Sequence, residues 1–119
     1  MKFLSLIRSS ESFRNGPPPA ALMEAMGKFV EKSRKEGVLV DTGGLLPSKE
    51  GVRMRLKGGE LSVTDGPFAE TKEVIGGWAI LQGTREQVMR AAKEFMELHR
   101  QHWPEFDCES ELRPMFEGP

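Results

Sequence analysis

The stretch GWAILQGTREQ, residues 77–87, decides the fold. Its first five residues, Gly77–Leu81, are apolar on both alternating faces, which predicts a strand that is covered on both sides. Thr84 and Gln87 then have the spacing of a capping box, in which the threonine accepts from the helix backbone and the glutamine reaches back. A helix is therefore predicted to begin here, directly after a buried strand.

Periodicity on either side of this stretch predicts the order β-α-β-β-β-β-α-β. Strands are predicted at 2–8, 38–42, 52–57, 61–64, 77–81 and 108–113, and helices at 18–36 and 84–103. Strict alternation over residues 52–57 predicts a half-buried strand, and Gly58-Gly59 predicts a two-residue hairpin turn. Gly37 is expected to end the first helix. The pair Gly76-Gly77 is expected to permit a bulge or a close approach of another backbone segment, rather than to bind phosphate.

Without the inner hairpin, this order is the split βαβ plan of ferredoxin-like α+β folds. Both helices are then expected on one face of the sheet. The strands at 2–8 and 77–81 are apolar on both faces, and a domain of this size has no third layer to cover the second face. We therefore expect one domain, residues 1–119, that forms a homodimer sheet to sheet.

Composition excludes several classes of protein. Lys and Arg total 17 against 18 Asp and Glu, and a net charge of −1 gives no electrostatic reason to bind nucleic acid or an anionic membrane. The single cysteine, Cys108, excludes an internal disulfide. The first apolar run breaks at Arg8, too early for a signal peptide, and no run approaches the roughly 18 residues of a membrane span. A cytoplasmic protein with a reduced Cys108 is expected.

The least common stretch is TDGPFAETKEVIGGW, residues 64–78. The tetrapeptide Asp65–Phe68, the following ETKE and the glycine pair resemble the signature of the YCII-related, DGPF-motif family. Residues 109–117, ESELRPMFE, are similar to that family's last strand, and residues 37–45 are also similar. The resemblance extends over nearly the whole chain.

This resemblance implies a ferredoxin-like, dimeric α+β barrel, in agreement with the periodicity. Relatives in the wider superfamily often carry a His–Asp pair proposed as an acid/base site, and some look like lyases or dehydrochlorinases. DGPF-motif proteins also look linked to alternative sigma factors. The histidine usually lies in the first helix, where this chain has Met23 and Met26 instead.

The candidate catalytic pair is therefore Asp65, as base or orienting carboxylate, with His102 as partner acid. The alternative for Asp65 is a structural role in the turn, with its carboxylate bonded to nearby backbone amides. The alternative for His102 is a cap at the helix end or a packed imidazole. Substrate contacts are expected from the loop and from nearby charged or aromatic side chains: Phe68, Glu70, Lys72, Trp103, Arg53 and Arg113. The alternative for the charged ones is a solvated surface with weak ion pairs, such as Arg113 with Glu109 or Glu111.

Two functions remain open. One is a lyase- or isomerase-like acid/base enzyme that acts on a small organic anion in a cleft formed by the loop at residues 65–68. The other is a non-catalytic small-ligand-binding or regulatory module, associated with an alternative sigma factor. No cofactor and no metal is expected, because zinc takes three or four ligands and spacing places only His99 and His102 together.

Overall fold

A computed structural model of the chain describes residues 1–10, 17–68 and 73–117. Within these ranges six strands and two helices follow one another in the predicted order. They are β1 (Lys2–Ser9), α1 (Ala20–Lys35), β2 (Leu39–Gly44), β3 (Val52–Lys57), β4 (Glu60–Asp65), β5 (Val74–Gln82), α2 (Arg85–His102) and β6 (Cys108–Pro114). A short 3-10 turn, Ser48–Glu50, stands between β2 and β3.

Four strands form one antiparallel sheet in the order β2-β5-β1-β6, and β3 pairs with β4 as a separate hairpin. With the hairpin set aside, this is the split βαβ plan, so the predicted ferredoxin-like α+β fold is confirmed. Both helices lie on the same face of the sheet. The core demonstrates this, because sheet residues pack together with side chains of both helices: Phe3, Leu39 and Leu81 with Val30 and Val88.

Local hydrogen bonds explain where the helices begin and end. Gln87 N–H donates to Thr84 Oγ1 at 3.1 Å and Thr84 N–H donates to Gln87 Oε1 at 2.8 Å, which confirms the predicted capping box. Gly37 follows α1 with a φ of 80°, the left-handed conformation expected of glycine after a helix.

Neither helix of the described chain has both the length and the apolar content to cross a membrane.

The two central strands, β1 and β5, pair along their whole length apart from one bulge. Ile7 lies opposite Gly77 and Arg8 lies opposite Ile75, so Gly76 is the extra residue. The predicted bulge at this glycine pair is confirmed. Pairing resumes beyond the bulge, and β5 therefore begins at Val74 rather than at the predicted Gly77.

The β3–β4 hairpin extends from the sheet and its two strands pair only with each other. Gly58 and Gly59 have φ values of 60° and 81°, which confirms the predicted two-residue turn. The predicted half-burial of β3 is wrong for the single chain, because no other described element covers its apolar side. That side, the hairpin apolar face, consists of side chains that are 56–77% exposed: Val52, Met54, Leu56, Leu61 and Val63.

A second apolar surface lies on the side of the four-stranded sheet that faces away from the helices. Phe3 belongs to the core, and side chains alternate along a strand, so Leu4 and Leu6 point the other way. Ile80 and Trp78 lie opposite them on β5 and share their direction. We call this surface the open face, because none of the helices or strands described forms a layer over it.

Candidate functional site

A cavity of about 570 Å³ lies between the helices and the sheet, and we call it the central cavity. Its helix side is lined by aliphatic, sulfur-containing and aromatic side chains, among them Leu22, Met26 and Phe29 of α1 and Ala92 and Phe95 of α2. None of the described residues that line it is Asp, Glu, Lys or Arg. The cavity therefore suits a ligand that is mostly apolar.

Several of the sheet residues that face the helices are small, which leaves room for the cavity. Ser5 and Ser9 lie on that side of β1, with Ile7 between them, and Gly77 and Ala79 lie on that side of β5. Larger aliphatic side chains at these positions would fill the space, as they do in an ordinary protein interior. The sequence of two central strands thus leaves room for a ligand.

Aromatic rings line one end of the central cavity. Phe95 and His99 lie one helical turn apart near the end of α2, with ring centroids 4.5 Å apart. Trp103, directly after α2, stacks on Phe106 at 4.3 Å, and Phe106 lies 6.2 Å from His99. We call these four residues the aromatic end.

His99 is the polar group of this end, and its orientation is fixed by its own helix. The side chain is buried, and Nδ1 lies 3.0 Å from the Phe95 carbonyl oxygen. A carbonyl oxygen only accepts, so Nδ1 carries the proton that is donated. In the neutral ring Nε2 is then unprotonated and can accept a hydrogen bond. The arrangement offers a ligand one hydrogen-bond acceptor in apolar surroundings.

Ser9 adds a second polar group at the wall of the cavity. It is 1% exposed, and its buried hydroxyl makes no hydrogen bond within the described ranges. A buried hydroxyl without a partner costs about 1–3 kcal/mol, so such groups normally find a bonding partner. Ser9 is therefore a candidate ligand contact.

The loop at residues 65–68 is packed against the 3-10 turn that precedes β3. Gly66 N–H donates to the Gly51 carbonyl oxygen at 2.9 Å, and Phe68 N–H donates to Ser48 Oγ at 3.2 Å. A Cβ atom on Gly66 would lie 1.7 Å from the Ser48 carbonyl oxygen. Only glycine permits this approach, which gives the second residue of the motif a structural role.

A second, more open cleft of about 740 Å³ lies beside this loop. Phe68 and Arg53 both line it, and the Arg53 guanidinium carbon lies 4.0 Å from the centroid of the Phe68 ring. A cation held over a ring face in this way is a cation–π contact. Glu50 and Glu73 line the cleft as well, so its wall carries charges of both signs, unlike the wall of the central cavity.

The family model for the YCII-related domain matches residues 1–98, which run from β1 into α2 and include the whole Asp65–Phe68 loop. The chain belongs to the YCII-related domain family. No curated protein matches the chain. Three residues of the aromatic end, His99, Trp103 and Phe106, follow the range that the family model matches.

In this YCII-related domain the two predicted catalytic residues lie on different elements. Asp65 is exposed at the end of β4, and His102 is half-buried at the end of α2. Neither lines the central cavity or the second cleft. The structure shows no hydrogen bond or ion pair between them in the ranges it describes, and their pairing stays a prediction.

The predicted substrate contacts are divided between the two cavities of the YCII-related domain. Phe68 and Arg53 line the second cleft, whereas Trp103 lines the central cavity. Glu70 and Lys72 lie outside the described residues. The described members Phe68 and Arg53 therefore line a different cavity from Trp103, and the predicted set as a whole stays a prediction.

Arg113 lies on the far side of the sheet from the central cavity. It forms an ion pair with Glu111, which also accepts a hydrogen bond of 2.5 Å from Arg8. Pairing of Arg113 with Glu111 was the alternative to a substrate contact, and the structure has it. The hydrogen bond from Arg8, with the charge of Arg113, lowers the pKa of Glu111 below its usual value.

We expect Glu111→Gln to lower the free energy of unfolding at neutral pH. The folded carboxyl has a lowered pKa, so its contribution is complete above the ordinary carboxyl value of about 4.3 and is lost as the pH falls. The difference between wild type and variant should shrink in urea unfolding measured from about pH 7 to pH 3. The exposed Glu24→Gln is the control, and a difference for Glu111→Gln that is constant with pH would contradict this account.

His99 is the cavity residue that sequence reasoning passed over in favour of His102. Its position along the helix could have identified it. His99 lies eleven positions after Val88, which is close to three full turns at about 3.6 residues each, so both residues lie on the same side of the helix. His99 therefore follows the buried stripe more closely than His102 does.

Among the residues that the structure describes, no group of three or more His, Cys, Asp or Glu is placed to hold a metal ion.

Proposed function

We propose that this YCII-related domain binds a small, mostly apolar organic molecule in the central cavity. The single observation that carries the proposal is the cavity itself. Its volume of about 570 Å³ falls in the range of about 300–1,000 Å³ that is usual for ligand pockets. Its apolar walls with few polar groups, His99 and the serines, are also usual for such pockets.

Binding without turnover is what a regulatory module requires, including one that works with an alternative sigma factor. Binding is equally the first step of an enzyme, and His99 supplies a group that can exchange protons. The walls of the cavity favour a neutral ligand over the organic anion that the loop residues suggest.

The second candidate is the acid/base reaction on a small organic anion, placed at the second cleft. Two arginines that line this cleft, Arg8 and Arg53, can hold an anion there, while Glu50 and Glu73 place two negative charges on the same wall. Asp65 lies at the end of the strand that leads into this loop. An Asp65→Asn variant that leaves the titration of the His102 ring unchanged would remove this candidate.

The proposed binding is tested with N-phenyl-1-naphthylamine, a neutral fluorophore that emits more strongly in apolar surroundings. We expect saturable binding to the wild-type protein. Ala92→Phe, which places a ring in the cavity, should weaken binding by about tenfold or more, because a side chain then occupies the ligand's volume. Fluorescence titration measures both affinities.

Ala21→Phe is the matched control, since Ala21 is exposed on α1 and does not line the cavity. It should bind the fluorophore as the wild type does. If wild type and Ala92→Phe bind equally, or if the wild type does not bind, the proposal is wrong.

We also propose that the protein is a homodimer that joins two copies of the open face. Leu4, Leu6, Trp78 and Ile80 support this, because together they form an apolar centre on a sheet that is covered on one side only. Charged side chains flank that centre, such as Arg8 and Glu111. An apolar core with a charged rim is the usual anatomy of an interface between identical subunits.

A further inference from the structure

We propose that the aromatic end of the central cavity is a subsite for an acidic hydroxyl on a planar ring or conjugated system, as in a phenol or an enol. His99 Nε2 accepts the hydrogen bond from this hydroxyl, and Ser9 Oγ bonds the same oxygen. The inference rests on the proposed function, because it names the class of ligand and the polar contacts that orient it.

The acceptor is available because the other ring nitrogen is already used. Nδ1 donates to the Phe95 carbonyl oxygen at 3.0 Å, which fixes the ring and leaves Nε2 as the acceptor. In the described chain no hydrogen bond reaches Nε2, while the ring lines the cavity. A ligand hydroxyl is the partner that would complete the hydrogen bonding of this imidazole.

Ser9 is an independent observation that points to the same place. Its side chain is 99% buried, lines the cavity and has a hydroxyl with no partner in the parts of the chain described. A hydroxyl can both donate and accept, so Ser9 can bond an oxygen whose own proton is given to His99.

Topology places Ser9 and His99 at the same end of the cavity. Ser9 is the last residue of β1 and pairs with Val74 and Cys108, the first residues of β5 and β6. The chain runs up β5 to Gln82 and returns along α2, so the last turns of α2 lie at the Val74 end. From His99 the chain then passes Phe106 and enters β6 at Cys108.

The surrounding rings favour a planar partner. Phe95 and Phe106 contact His99, and Trp103 extends the aromatic wall by stacking on Phe106. Aromatic ligands gain offset-stacked and edge-to-face contacts in such surroundings. Because no acidic or basic side chain lines the described cavity apart from the imidazole, a hydroxyl is favoured over a carboxylate or an amine.

The test compares 2-naphthol with 2-methoxynaphthalene, which has the same ring system but no hydroxyl proton. We expect the wild type to bind 2-naphthol about tenfold more tightly by isothermal titration calorimetry. His99→Phe keeps an aromatic ring and should bring the ratio of affinities close to one by weakening 2-naphthol alone. Gln101→Phe, at an exposed position of the same helix, is the control and should keep the wild-type ratio.

Two measurements keep the test decisive if His99→Phe does not fold. Ser9→Ala removes a hydroxyl that has no described partner, so it should fold and should lower the ratio as well. In the wild type, 2-naphthol should shift the ¹⁵N resonance of His99 Nε2, and 2-methoxynaphthalene should not. Equal affinities of the wild type for both compounds would overturn this inference and leave the proposed function standing. If neither compound binds to a protein that does bind N-phenyl-1-naphthylamine, this inference alone is overturned, and if none of the three binds, the proposed function is overturned with it.

Discussion

Replacing Gly66 with alanine is expected to lower the free energy of unfolding by about 2–4 kcal/mol. The new Cβ atom would lie 1.7 Å from the Ser48 carbonyl oxygen and 2.6 Å from its carbon, so one of two backbone segments must move. Movement breaks the hydrogen bond from Gly66 N–H to Gly51 and the bond from Phe68 N–H to Ser48 Oγ. Urea unfolding followed by circular dichroism measures the loss.

Gly27→Ala is the matched control for this substitution. Gly27 lies inside α1, and a Cβ atom there meets nothing within 4 Å. Alanine should therefore stabilise the helix by about 0.5–1 kcal/mol. A Gly66→Ala protein as stable as the wild type, with unchanged amide resonances at Gly51 and Phe68, would contradict the close approach of the two segments.

Replacing Leu6 with lysine is expected to convert the proposed homodimer into a monomer. Leu6 lies at the middle of β1 on the open face, next to Trp78 on one side and Glu111 on the other. A two-fold axis brings the same surface of both copies together, so each interface would bury two new charges. Glu111 beside the lysine favours folding of the variant. Light scattering during gel filtration measures the mass of both proteins.

Met54→Lys is the control because it places the same charge on the other exposed apolar surface. Met54 is 74% exposed on the hairpin apolar face. If two open faces form the interface, Met54→Lys should stay dimeric. A monomeric wild type would contradict the dimer itself, and a Met54→Lys protein that dissociates while Leu6→Lys does not would place the interface on the hairpin.

The elements of the fold could be predicted because each is encoded by a local pattern. The Thr84–Gln87 capping box, the Gly58-Gly59 turn and the glycine after α1 each depend on neighbours within a few residues. The glycine pair also predicted either a bulge or a close backbone approach at Gly76, and the register of β1 and β5 shows that it is a bulge. The split βαβ plan then followed from the order of these elements along the chain.

The burial of the strands and the location of the central cavity were harder to predict than the elements, because both depend on contacts between distant segments. Alternation in β3 shows that one side is apolar, but it does not show whether any element covers that side. The central cavity results from Ser5 and Ala79, which lie opposite each other only once the register of β1 and β5 is known. His99 and His102 differ by a fraction of a helical turn, and that fraction decides which one lines the cavity.

The separate hairpin gives the protein two levels of cooperativity. Since β3 and β4 bond only to each other, they can open while the four-stranded sheet stays intact. The amide hydrogens of β3 and β4 then exchange with solvent through local opening of the hairpin. Those of β1 and β5, each with a neighbouring strand on both sides, exchange only when the four-stranded sheet unfolds. A partner that binds to the β3–β4 hairpin would slow hydrogen exchange in the hairpin alone and leave exchange in the four-stranded sheet unchanged.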